Sequence, residues 1–128
     1  MVDVGTGAGL LGIAAKQFGA GIVLCLDTDS QVLPTAKENA ILNNTSVLFA
    51  AESADAVGSG FADLLVANIS GTVLLNIFDE LERITKKGGI LILTGFTQAE
   101  LPAFTSRLRA DRILEADDWR CIVGRPFP

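Results

Sequence analysis

Apolar positions along the chain follow two rhythms. Short, mostly apolar runs recur at Met1–Val4, Ile22–Leu26, Ser46–Ala50, Ala62–Ala67 and Ile90–Thr94, the length and composition of buried strands. Between them the spacing turns helical. Leu10 to Phe18 reads as a helix rich in small residues and closed by Gly19–Gly21, and a second helix runs to about Leu42 with Asp29 or Ser30 placed to cap it. Pro34 falls near its start, where proline is tolerated, and Asn43-Asn44 ends it as a turn. Leu74, Phe78, Leu81 and Ile84 repeat at helical spacing and predict one helix from Thr72 to Lys86. There Lys86-Lys87-Gly88-Gly89 supplies cations at the negative end and a glycine stop. Thr97 and Glu100 form an S/T-x-x-E capping signature for a helix to about Arg109. Arg112–Glu115 and Trp119–Val123, around Ala116-Asp117-Asp118, read as a terminal hairpin.

Strands alternating with helices predict an α/β fold, a Rossmann-like doubly wound sheet that is mostly parallel with an antiparallel terminal hairpin. The 128 residues suit one domain, 1–128. A hydrophobic fraction of 49% fits a sheet covered on both faces. No apolar run approaches the roughly 18 to 20 residues that span a bilayer, and no signal peptide is evident, so no membrane partner and a cytoplasmic location are expected.

A net charge of −5 argues against direct nucleic acid binding and favours a basic partner. With no histidine and no tyrosine, the chemistry must rest on carboxylates, amides and a cofactor. Cys25 and Cys121 sit in apolar strands, which reads as two buried thiols with neither a metal site nor a disulfide.

Ligands of an open parallel sheet bind at the carboxyl ends of its strands. The informative residues all fall there: Asp3, Gly5, Thr6, Gly7 and Gly9 around the first turn, Asp27 and Thr28 after the second strand, Glu52 and Ser53 after the third, and Asn68 to Ser70 after the fourth. The glycines let a ligand approach bare backbone. Their spacing differs from the dinucleotide fingerprint G-x-G-x-x-G, whose third glycine would fall on Leu10. A carboxylate at Asp3 would repel a pyrophosphate but favour a ligand carrying an ammonium and a sulfonium, as S-adenosyl-L-methionine does. Asp27 is placed to accept hydrogen bonds from ribose hydroxyls, the other reading being a neighbour of the helix cap. Glu52 and Ser53 are placed to flank an adenine.

Asp3-Val4-Gly5-Thr6-Gly7-Ala8-Gly9-Leu10-Leu11 resembles the first motif of class I S-adenosylmethionine-dependent methyltransferases. Leu26-Asp27-Thr28-Asp29, Val66-Ala67-Asn68-Ile69, Leu93-Thr94-Gly95 and the terminal Trp119 resemble one subfamily, the ribosomal protein L11 methyltransferases. The resemblance implies that Asp3 and the glycines hold the methionine end, Asp27 the ribose and the region of Glu52 the adenine. It makes Asn68, with Ile69, the pivotal catalytic pair, steering an amine lone pair toward the methyl group. The implied enzyme is a protein N-methyltransferase acting on lysine side chains or the N-terminal amine of a ribosomal protein. Asn68-Ile69-Ser70-Gly71 departs from the Asn-Pro-Pro-Tyr of DNA and glutamine methyltransferases, which favours an alkyl amine. Two alternatives stay open at Asn68 and Trp119: a cap for the following helix and packing of the hairpin. The resemblance also implies an N-terminal recognition domain and a threonine-rich lid ahead of the first strand, absent from this chain. An NAD-type oxidoreductase and a truncated, non-catalytic cofactor-binding fragment are the competing functions.

Overall fold

The computed structural model describes every residue, Met1–Pro128. In chain order it forms β1 (Val2–Val4), α1 (Leu10–Gln17), β2 (Leu24–Leu26), α2 (Leu33–Leu42), β3 (Leu48–Ala50), a 3-10 turn at Ala54–Ala56, β4 (Ala62–Asn68), α3 (Gly71–Asn76), α4 (Phe78–Ile84), β5 (Thr85–Thr97), α5 (Leu101–Thr105), β6 (Leu108–Ala116) and β7 (Trp119–Pro126). The strands make one sheet in the order β3-β2-β1-β4-β5-β7-β6. β1 to β5 pair in parallel, while β7 is antiparallel to both β5 and β6. The order reverses between β1 and β4, and the crevice beyond their carboxyl ends is where such a sheet takes its ligand.

The long helix expected from Thr72 to Lys86 is two helices hinged at Ile77, which has φ −104° and ψ 9°. Its apolar period is intact: Leu74, Phe78, Leu81 and Ile84 are all fully buried. The end differs for a physical reason. Thr85 begins β5 and donates its Oγ1 hydrogen to the Leu81 carbonyl at 2.7 Å, closing the last turn. Lys86-Lys87-Gly88-Gly89 therefore belongs to β5, where it loops out between the pairs Ala62↔Thr85 and Leu64↔Ile90. The Lys86 ammonium meets Asp63 at 2.7 Å, because a charged, glycine-rich segment has nothing to offer the core.

The helix after Thr97 stops at Thr105, short of Arg109, since Leu108 is buried as the first residue of β6. Only half of its capping signature forms: the Glu100 carboxylate accepts from the Thr97 backbone N–H at 2.8 Å, but the Thr97 hydroxyl donates to the same carboxylate at 2.9 Å and caps no helix N–H, and α5 begins after Glu100 with no side-chain cap. Neither Asp29 nor Ser30 caps α2; Asp29 instead accepts from the Gln31 N–H at 2.9 Å in a turn that precedes the helix. β2 and β3 start at Leu24 and Leu48, two residues later than their apolar runs.

Helices α3, α4 and α5 pack one face of the sheet, with Phe96 and Phe104 at a centroid distance of 4.2 Å. The other face is only partly covered. There α1 leaves a groove lined by Met1, Phe18, Leu64, Val66, Ile92 and Cys121, and Phe18 is 92% exposed. Cover on both faces, expected from the hydrophobic fraction, is thus complete on one side alone. Cys25 is buried but Cys121 is half-buried, and both are free thiols. No helix is long and apolar enough to cross a membrane.

Candidate active site

The loop that leaves β1 is built on three left-handed glycines, Gly5, Gly7 and Gly9, with φ of 72°, 54° and 83°, a conformation that penalises any Cβ. The Gly5 and Thr6 N–H groups both donate to the Leu26 carbonyl at 2.9 Å, tying the loop to the end of β2. Gly5 is needed for space as well, because a Cβ there would lie 2.4 Å from Ile69 Cγ2. Gly9 packs between helices, where a Cβ would stand 3.2 Å from Ala36 Cβ.

Asp3 lies beneath this loop and is 1% exposed. Its Oδ2 accepts from the Thr6 hydroxyl at 2.7 Å and the Gly12 N–H at 3.1 Å. No protein donor reaches Oδ1. Burial pushes the carboxyl above its ordinary range against the pull of those two bonds, and the charge of Asp27 adds to the rise. Asp3 and Thr6 therefore brace the loop from below, so any ligand contact from Asp3 is confined to Oδ1.

The raised value has a stability consequence. The folded chain holds the Asp3 proton more tightly than the unfolded chain, so its contribution to stability is greatest in acid and declines as pH rises from about 4 through the raised value. Asp3→Asn removes that decline. Melting curves across pH should show the variant gaining on the wild type as pH rises toward neutrality, and an unchanging difference would contradict a protonation cost at this site.

Gly12 brings α1 onto Asp3. A Cβ at Gly12 would fall 2.2 Å from Cys25 Sγ but at ordinary distances, 3.4 and 3.5 Å, from Val23 Cγ1 and Asp3 Oδ2. The thiol is pushed up to about 11, mainly by burial, and stays neutral. Gly12→Ala is expected to cost about 1 to 3 kcal/mol through overpacking. Cys25→Ala in the same chain should restore most of it; denaturant unfolding of both variants checks the pair.

Asp27 follows β2 and is half-buried. Its Oδ2 accepts from the Gly7 N–H at 2.9 Å and its Oδ1 from the Asp29 N–H at 3.0 Å. One side of this carboxylate borders a cleft lined by Val4, Gly5, Asp27, Thr28, Glu52, Ser53, Ala54, Ile69, Val73 and Ile77. Six residues singled out from the sequence (Gly5, Asp27, Thr28, Glu52, Ser53 and Ile69) thus line one cavity, while Asp3, Thr6, Gly7, Gly9 and Asn68 fall outside its lining. Val73 of α3 and Ile77 of the hinge that follows it were not singled out; they form an apolar wall, and their signal was that they fall off the buried period of Leu74, Phe78 and Leu81. An apolar wall facing carboxylates and bare glycine backbone matches a nucleoside with a cationic tail.

Asn68 ends β4 opposite Thr94 and is exposed. Its side chain forms no hydrogen bond within the protein, and α3, which starts after Ser70, has no side-chain cap. The capping alternative for Asn68 therefore fails. Trp119 pairs with Thr97 at the same edge of the sheet, is 57% exposed and lies outside the cleft.

The family model for ribosomal protein L11 methyltransferase (PrmA) matches residues 1–126. The chain belongs to the ribosomal protein L11 methyltransferase family. It is 35% identical over 133 residues to the ribosomal protein L11 methyltransferase of Shouchella clausii, covering 98% of this chain and 42% of that protein. The ribosomal protein L11 methylase of Lactobacillus delbrueckii subsp. bulgaricus superposes with a TM-score of 0.89 at 31% identity, over 99% of this chain and 69% of that one. An RNA methyltransferase of Salinibacter ruber, solved with S-adenosyl-L-homocysteine, shares the fold at a TM-score of 0.80 and 16% identity, over 99% of this chain and 80% of that one. The chain thus spans less than half the length of the curated relative, 42%. S-adenosyl-L-methionine is the cofactor of this methyltransferase family, and the dinucleotide oxidoreductase reading gives way to it.

Proposed function

We propose that the chain binds S-adenosyl-L-methionine in the cleft between Gly5, Asp27, Glu52 and Ile69 and directs methyl transfer to an alkyl amine of a ribosomal protein in the cytoplasm. The observation that carries this is the Asn68 side chain, an amide with no partner in the protein, at the end of β4 beside the cleft. The bound cofactor supplies a methyl group activated by a positively charged sulfur.

The chain's own residues do the rest. Asp27 has lone pairs left after its bonds to Gly7 and Asp29, and these accept the two ribose hydroxyls. Glu52 and Ser53 flank the base against the wall of Val73 and Ile77. Gly7, where a Cβ would meet nothing within 4 Å, leaves backbone open to the methionine end. Asp3 Oδ1 takes the ammonium of that end, which favours the ionised form that burial opposes. Asn68 Oδ1 accepts an N–H of the incoming neutral amine and turns its lone pair toward the methyl, a task of alignment rather than proton abstraction.

The relatives' name specifies ribosomal protein L11, and a chain of net charge −5 suits a basic protein. Asp117 and Asp118, at the hairpin turn on the same edge, carry no ion pair. Incubating the chain with tritiated S-adenosyl-L-methionine and ribosomal protein L11 tests the reading. Label on lysine or N-terminal amines is expected. A folded chain that binds S-adenosylhomocysteine yet labels nothing would support the non-catalytic fragment instead.

A further inference from the structure

We propose that Gly95 is a positioning residue for methyl transfer: its bare α-carbon seats the Ile69 peptide and thereby sets the direction of the Asn68 amide. The inference rests on the reading of Asn68 above. β4 and β5 stay in register through Asn68↔Thr94, and then both chains leave the ladder. Gly95 adopts φ +95° and falls in the register shift between Thr94 and Phe96, where β5 pairs with β7. It is a bulge residue, and the bulge turns its α-carbon toward the neighbouring strand end.

A Cβ on Gly95 would lie 2.4 Å from the Ile69 carbonyl oxygen, 2.9 Å from its carbonyl carbon and 3.1 Å from its nitrogen. All three are backbone atoms, so no side-chain rotation relieves the clash. The whole Asn68–Ser70 turn would have to move. Ile69 is also held from the β1 side, where its Cγ2 occupies the space above Gly5. Asn68 precedes Ile69 and has no hydrogen bond of its own, so only the backbone fixes where its amide points. The contacts assigned to the ribose and base come from Asp27, Glu52 and Ser53, on other strands. A disturbance at Gly95 therefore reaches the acceptor side through the backbone and the nucleoside side only through the Ile69 side chain, which also lines the cleft.

The test is a double-mutant cycle on the intact chain, with ribosomal protein L11 as acceptor and S-adenosylhomocysteine as the binding probe. Gly95→Ala should lower kcat by about 100-fold, as an ångström-scale misplacement can, while the Kd for S-adenosylhomocysteine stays within about threefold. In an Asn68→Ala background the same substitution should cost almost nothing further, since its route is already gone. Gly95→Asn, which tolerates left-handed φ but carries the same Cβ, should behave like Gly95→Ala and separates the contact from backbone strain. Additive losses in the cycle, or loss of S-adenosylhomocysteine binding together with turnover, would overturn the proposal. If Asn68→Ala alone leaves turnover intact, the reading of Asn68 fails instead.

Discussion

Asp27→Ala is expected to weaken S-adenosylhomocysteine binding by about 1 to 3 kcal/mol, roughly 5- to 150-fold, the range for hydrogen bonds to a charged group. Two losses combine in that figure. The carboxylate is the acceptor placed for the ribose hydroxyls, and it also clips the glycine loop to the end of β2 through the Gly7 N–H at 2.9 Å. Removing it frees the loop that must present bare backbone to the methionine end. The fold itself should persist, because Asp27 is half-buried and lies outside the apolar cluster that joins β1, β4 and β5 to α3 and α4. Titration calorimetry on a sample with a cooperative melt reads the effect, and unchanged affinity would contradict the placement of the ribose.

Asn68→Ala separates binding from transfer. Turnover on ribosomal protein L11 should fall about 100-fold, the scale of lost orientation at a reacting centre. Affinity for S-adenosylhomocysteine should stay within about threefold, the pattern of a group that acts on the transition state. The structure sharpens this expectation, because the amide bonds to nothing in the protein and no helix cap is lost with it. Equal loss of binding and turnover would return Asn68 to a structural role.

The sheet and the glycine loop were legible because both are written in local patterns. Apolar runs mark strands buried on both sides, and glycines at 5, 7 and 9 mark left-handed backbone. That Asp27 and Glu52 meet in one cleft was legible through topology, since both follow strand ends on the same edge of the sheet. What escaped depended on tertiary context. The period of Leu74 to Ile84 is continuous through the break at Ile77, so it could not reveal that the helix divides there. Lys86 to Gly89 carries the composition of a helix end, yet Thr85 closes the helix first. The brace of Asp3 against Gly12 links residues nine apart through a contact that no periodicity encodes. The clamp on Ile69 by Gly5 and Gly95 joins two strand ends that only the folded sheet brings together. Open cover over Leu64, Val66 and Ile92 was hidden for the opposite reason, because a strand reads the same whether a helix lies on it or not.

The measurement that bears most directly on the whole account is a paired calorimetric titration of the intact chain with S-adenosylhomocysteine and with NADH. The cleft, bordered by a glycine loop that has Leu10 in place of a third glycine and Asp3 beneath it, should bind S-adenosylhomocysteine and take NADH far more weakly. Heat from NADH and none from S-adenosylhomocysteine at millimolar ligand, in a folded sample, would contradict it.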